Sequence, residues 1–127
     1  MPSPITGTAS RRALVVAADM TTHRLCRAAL ETSGLAVDGV DSGMAALMSA
    51  REARPDLIVI DQQLRDVSGH EAIGWLRSNP ALRATPIIAL TTSADDATGL
   101  AAIAPGAALR KPLSPVAIRR AIRAALA

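Results

Sequence analysis

The 127-residue sequence contains no Phe and no Tyr, one Trp (Trp75), one Cys (Cys26) and one Lys (Lys111). Each scarcity excludes something. Without aromatics, the protein cannot read nucleic acid by stacking bases on Phe or Tyr. A single cysteine rules out an internal disulfide and a cysteine-based metal cluster, and its place in a helical pattern fits a small core or boundary residue. No apolar run approaches the roughly 18 residues that signal a membrane span. The opening segment MPSPITGTASRR lacks the apolar stretch of a secretory signal. A cytoplasmic protein without membrane insertion is the expectation.

What is abundant is aliphatic. Half of the residues are hydrophobic, enough for one domain with one core built from Ala, Val, Leu, Ile and Met. The formal net charge is +3, a small excess that weakly favours acidic partners. Residues 1–11 read as a flexible tail rich in Pro, Ser, Thr and Gly, and residues 12–127 as the folded domain.

Four apolar runs each stop at one polar residue: LVVAAD at Asp19, LIVID at Asp61, IIALT at Thr91 and ALRK at Lys111. Between them lie helical patterns, and this alternation marks βα units around a parallel sheet. Strands are expected near 13–17, 35–40, 57–60, 86–90 and 107–109. Helices are expected over 22–33, from 42, from Ser68, over 95–102 and from Ser114. Gly34 stops the first, Ser68 and Glu71 have capping-box spacing, and Ser114-Pro115 opens the last. Met44, Leu47 and Met48 have the spacing of a core-facing stripe. Parallel strands end on one edge of the sheet, where open α/β sheets place their chemistry. A carboxylate, a hydroxyl and an ammonium should therefore share one crevice.

The segment PDLIVIDQQLRDVSGHEAIGWLR, with IIALT and Lys111-Pro112, resembles the receiver domain of two-component response regulators. That resemblance implies a flavodoxin-like (βα)5 fold, a doubly wound parallel five-stranded sheet in the order 2-1-3-4-5. It places Asp61 at the phosphoacceptor position, Thr91 at the hydroxyl position and Lys111 at the conserved cation of the family's Lys-Pro pair. An aspartate attacking phosphorus is nucleophilic catalysis, and its transition state calls mostly for positioned positive charge. On this resemblance the protein is not expected to be an enzyme. The partners it implies are a histidine kinase, a phosphotransfer protein or a downstream target protein, with no direct DNA binding.

The sequence departs from the family in three places. Ala17 and Ala18 stand where the family has the acidic pair that holds Mg²⁺, so any magnesium site would be weak, built from Asp61, the Gln63 carbonyl and a displaced Asp19. With fewer competing acids, Asp61 and Lys111 should form a direct ion pair without metal. Ala108 replaces the aromatic switch of the fifth strand, and Arg65 replaces the loop proline, where it either reaches the crevice or is solvated. Asp61 is then either a strand-end aspartate held by its ion pair or a working phosphoacceptor, and we expect weak or lost phosphorylation. His23 and His70 read as surface residues. Arg119, Arg120 and Arg123 lie on one side of the final helix, opposite Ile118 and Ile122. They form either a solvated face or a partner face. This gives two functional readings: a stand-alone, atypical single-domain response regulator acting through protein contacts, or a cyclic-dinucleotide-binding signalling module using the arginine helix. An enzyme on this scaffold is disfavoured, because no glycine-rich phosphate loop follows the first strand.

Overall fold

The most continuous apolar runs form the middle of the sheet. LIVID and IIALT are buried at every position, as expected of parallel strands covered on both faces. The computed structural model describes residues 11–93 and 107–127. Its elements are β1 (Arg11–Val16), α1 (Met20–Thr32), β2 (Leu35–Val40), α2 (Gly43–Glu52), β3 (Leu57–Asp61), α3 (Gly69–Arg77), a 3-10 turn (Pro80–Leu82), β4 (Ile87–Thr91), β5 (Ala107–Arg110) and α4 (Pro115–Leu126). The strands are parallel and ordered β2-β1-β3-β4-β5, the flavodoxin-like order that the resemblance implies. The helix expected over 95–102 lies outside the described residues. Among the described residues, no helix is long and apolar enough to cross a membrane.

Side chains alternate between the faces of each strand, and the sheet therefore divides the core in two. Leu14, Val16, Ile58, Ile60, Ile87 and Ala89 pack against Ala46, Ala50, Ala72, Ile73 and Leu76 of α2 and α3. Ala13, Val15, Leu57, Val59, Ile88 and Leu90 pack against Cys26, Leu30, Ile118 and Ile122 of α1 and α4. Cys26 is fully buried there, and desolvation pushes its thiol pKa up to about 11. It is an inert core residue.

Local signals are met where the sequence places them. Gly34 adopts φ +89° just past α1, a conformation that favours glycine. Ser114 accepts a hydrogen bond from the Ala117 N–H at 3.2 Å, and Pro115 takes the first helical position. The Glu71 N–H donates to Ser68 Oγ at 3.1 Å.

The methionine stripe is a correction. Met44 and Met48 are 51% and 56% exposed, while Gly43, Ala46 and Ala50 take the buried face of α2. The cause is close approach. A Cβ on Gly43 would lie 2.5 Å from Val67 Cγ2 and 3.3 Å from Ala72 Cβ. At that spacing only small residues fit, and the helix turns its methionines outward. Leu47 remains partly buried against the core.

Candidate functional site

The ends of β3, β4 and β5 converge at one edge of the sheet. Asp61 and Thr91 are the last residues of their strands, and Thr91 faces Arg110 in the β4–β5 register. The Lys111 N–H donates to the Thr91 carbonyl at 2.7 Å, and the Gln62 N–H to the Leu90 carbonyl at 2.8 Å. The backbone therefore fixes where all three side chains start. The Lys111-Pro112 peptide is cis.

Lys111 Nζ lies 2.5 Å from Asp61 Oδ2. The Asp61 side chain is 4% exposed and that of Lys111 22%, so solvent reaches the ammonium more than the carboxylate. The other carboxylate oxygen, Oδ1, accepts the Gln63 N–H at 3.2 Å. Thr91 is buried, and its Oγ1 accepts the Ser93 N–H at 3.2 Å. The direct Asp61–Lys111 pair expected from the sequence is present.

Asp19 sits at the exposed N-cap position of α1. It shares a cavity of about 290 Å³ with Thr21, Thr22, Leu25, Lys111 and Pro112. Thr22 holds the Asp19 carboxyl below its ordinary range, against slight desolvation, with the Lys111 charge adding to the effect. No ion pair joins Asp19 to Lys111 among the described residues. Ala17 is buried and Ala18 exposed just past the end of β1.

Mg²⁺ calls for a near-octahedral shell of oxygens, usually with one or two carboxylates. Among the described residues, no group of three or more His, Cys, Asp or Glu is placed to hold a metal. One Asp61 oxygen is spent on an ammonium and the other on a backbone N–H. This donor set does not fit a well-bound magnesium ion.

Two placements, those of Arg65 and His23, were not fixed by residue type. Arg65 turns to Asp41 on the surface, at 2.9 Å and 68% exposed, and does not reach the crevice. His23 is half-buried, with Nε2 2.7 Å from the Ala17 carbonyl. Its expected surface position is corrected, because the first turn of α1 lies across the end of β1. His70 is exposed, as expected. Ala108 is partly buried against the core. Arg119, Arg120 and Arg123 are all exposed.

Sequence reasoning missed Asp66. Its Oδ1 accepts the Gly43 N–H at 2.8 Å and its Oδ2 the Met44 N–H at 3.0 Å. The loop after Asp61 thereby caps a helix more than twenty residues earlier in the chain. No local pattern could have shown it. The Gly43 N–H first, then that of Met44, holds the Asp66 carboxyl below its ordinary 3.8. A carboxyl whose folded pKa is depressed stabilises the fold above the unfolded value. That contribution is lost as pH falls through the folded value. Asp66→Asn should therefore lower the melting temperature at neutral pH, and the deficit should shrink below pH 3.8. Thermal melts of both proteins across the acid range check this.

The open parallel sheet thus brings a buried carboxylate, an ammonium and a buried hydroxyl to one edge. Residues 13–123 match the response regulator receiver domain, and the chain belongs to that family of two-component signalling. It is 45% identical over 71 residues to the polar-differentiation response regulator DivK of Brucella anthropi, a match covering 56% of this chain and 58% of that protein. The matched part is thus less than two thirds of that relative. The receiver domain of the sensor histidine kinase PA1611 of Pseudomonas aeruginosa, solved with magnesium in its active site cleft, superposes with TM-score 0.82. It is 27% identical, over 93% of this chain and 98% of that one. The chemotaxis response regulator CheY4 of Vibrio cholerae, at 24% identity and TM-score 0.83 over 91% of this chain and 98% of that one, shares the fold.

Proposed function

We propose that this receiver domain works mainly as a protein-contact module in two-component signalling, with Asp61 phosphorylated weakly or not at all. The observation that carries the reading is the direct Asp61–Lys111 contact at 2.5 Å, beside a β1 end that offers Ala17 and Ala18. Asp61 is the phosphoacceptor position, and Lys111 and Thr91 are the groups that would hold a phosphoryl oxygen. In a receiver that depends on a cation, crowded carboxylates stay mutually repelled until the ion arrives. In this chain the ammonium already neutralises the one buried carboxylate among the described residues. An attack by Asp61 on phosphorus must first release Lys111, and little else in the crevice supplies positive charge to the transition state. Any magnesium bound through Asp61, the Gln63 carbonyl and Asp19 would be held weakly.

The partners on this reading are a histidine kinase, a phosphotransfer protein or a downstream target, contacted in the cytoplasm and without direct DNA binding. The route from Thr91 to a fifth-strand aromatic cannot operate through Ala108, which has no rotamer to change.

Intact mass after incubation with Mg²⁺ and acetyl phosphate tests the proposal. The parent protein should show little or no gain of a phosphoryl group. Ala18→Asp, at an exposed position next to the crevice, should raise both magnesium affinity and phosphoryl uptake. Full phosphorylation of the parent, abolished by Asp61→Asn, would overturn the reading. An Ala18→Asp variant that binds magnesium no better would show that the acidic pair belongs elsewhere.

A further inference from the structure

Three arginines line a groove away from the crevice. Arg11 opens β1, and Arg119 and Arg123 lie one turn apart on α4. Together with Ser33, Ile122 and Leu126 they enclose about 510 Å³. Arg120 does not line it, so the arginine face read from sequence divides, with two of its members turned towards α1. Its apolar surface comes from the partly buried Leu126, with Ile122 buried beneath in the core.

The charge of this groove is unbalanced. Elsewhere Arg12 pairs with Asp38, Arg27 with Glu31 and Arg65 with Asp41, while other exposed arginines such as Arg24, Arg51 and Arg54 have no such partner among the described residues; here three without one line a single groove. Among the described residues, no carboxylate lies within ion-pair distance of Arg11, Arg119 or Arg123. Like charges at i, i+4 on a helix repel. Arg123 in the last turn suits the helix dipole, and Arg11 Nη1 donates to the Leu126 carbonyl at 3.4 Å. Neither reason extends to Arg119. The hydroxyls of Thr32 and Ser33 donate back into α1, to the Ala28 and Ala29 carbonyls, which leaves the guanidiniums as the groove's side-chain donors.

Shape and chemistry select the occupant. A concave slot with an apolar patch fits a chain segment better than a flat lipid surface. The absence of Phe and Tyr leaves no platform for bases. Guanidiniums pair with carboxylates in forked geometry. We infer that this groove docks an acidic segment of a partner protein, with an apolar side chain against Leu126 and flanking carboxylates on Arg11, Arg119 and Arg123. The site is separate from Asp61 and does not depend on whether that residue is phosphorylated.

The test is an amide-resolved NMR titration of the full chain with a synthetic peptide alternating Glu and Leu. Shift changes should cluster at Thr32, Ser33, Ile122 and Leu126. Arg119→Ala with Arg123→Ala should weaken binding about tenfold or more, and Asp61→Asn should leave it unchanged. Arg51→Ala with Arg54→Ala, which removes the same charge elsewhere, should cost far less. The proposal is overturned by shifts centred outside the groove, or by equal losses in the two double variants. It is also overturned if pyrophosphate or anionic lipid vesicles occupy the groove while the peptide does not.

Discussion

Lys111→Met should melt about 10 °C below the parent protein at neutral pH. The substitution keeps the length of the side chain and removes its charge. Asp61, 3% exposed, is then a carboxylate without its counter-ion, and breaking a buried pair from one side costs about 3 kcal/mol. The lower end of the usual range applies because the lysine side chain is 22% exposed, so water can replace part of the lost interaction. Adding Asp61→Asn to Lys111→Met removes the orphaned charge and should recover more than half of the lost stability. Thermal melts of the parent, the single variant and the double variant decide the matter. A single variant within about 2 °C of the parent would mean that solvent already screens the carboxylate, and the pair would not be a main support of the fold at this edge.

The second large effect comes from a residue with no side chain. Gly69→Ala should destabilise the domain by about 3 kcal/mol. Its backbone has no positive φ, so the reason is space alone. An added Cβ would stand 2.5 Å from the Asp61 carbonyl oxygen and 2.8 Å from Gln62 Cα. Both are backbone atoms, and neither can rotate away. Relief requires the start of α3 to move off the end of β3, which also strains the Gly69 N–H to Gln62 carbonyl bond at 2.9 Å. Gly74 in the same helix is the control, because a Cβ there meets nothing within 4 Å. Gly74→Ala should stabilise by about 0.5–1 kcal/mol. Denaturant titration of both variants should give shifts of opposite sign.

The sequence made some features legible because their causes are local. Continuous apolarity marks β3 and β4 as covered on both faces, since no polar side chain interrupts LIVI or IIAL. Ser114 and Pro115 fix the start of α4 through the needs of unpaired backbone donors. The meeting of Asp61 and Lys111 follows from strand ends in a parallel sheet and from the lysine's isolation among arginines.

Other features depend on distances that only the assembled chain sets. Hydrophobicity ranks Met44 and Met48 above Ala46 and Ala50, yet the nearness of α2 to α3 reverses the order. Asp66 acts across more than twenty residues, and its helix-capping role has no signature in the residues beside it. Arg65 could be read toward the crevice or toward solvent until Asp41 was placed beside it. His23 looked peripheral because nothing in its neighbours shows that its ring reaches the carbonyl of Ala17.

Trp75 is partly buried at the α2–α3 contact, its Cζ3 3.4 Å from where a Cβ on Gly43 would stand. With no tyrosine or phenylalanine in the chain, ultraviolet excitation near the red edge of protein absorbance lights a single fluorophore. Its emission senses the joint between the two helices and the Val67 side chain that wedges them. A colour shift on adding any ligand would thus report strain carried to that joint. A silent spectrum would mean that the disturbance does not reach that joint.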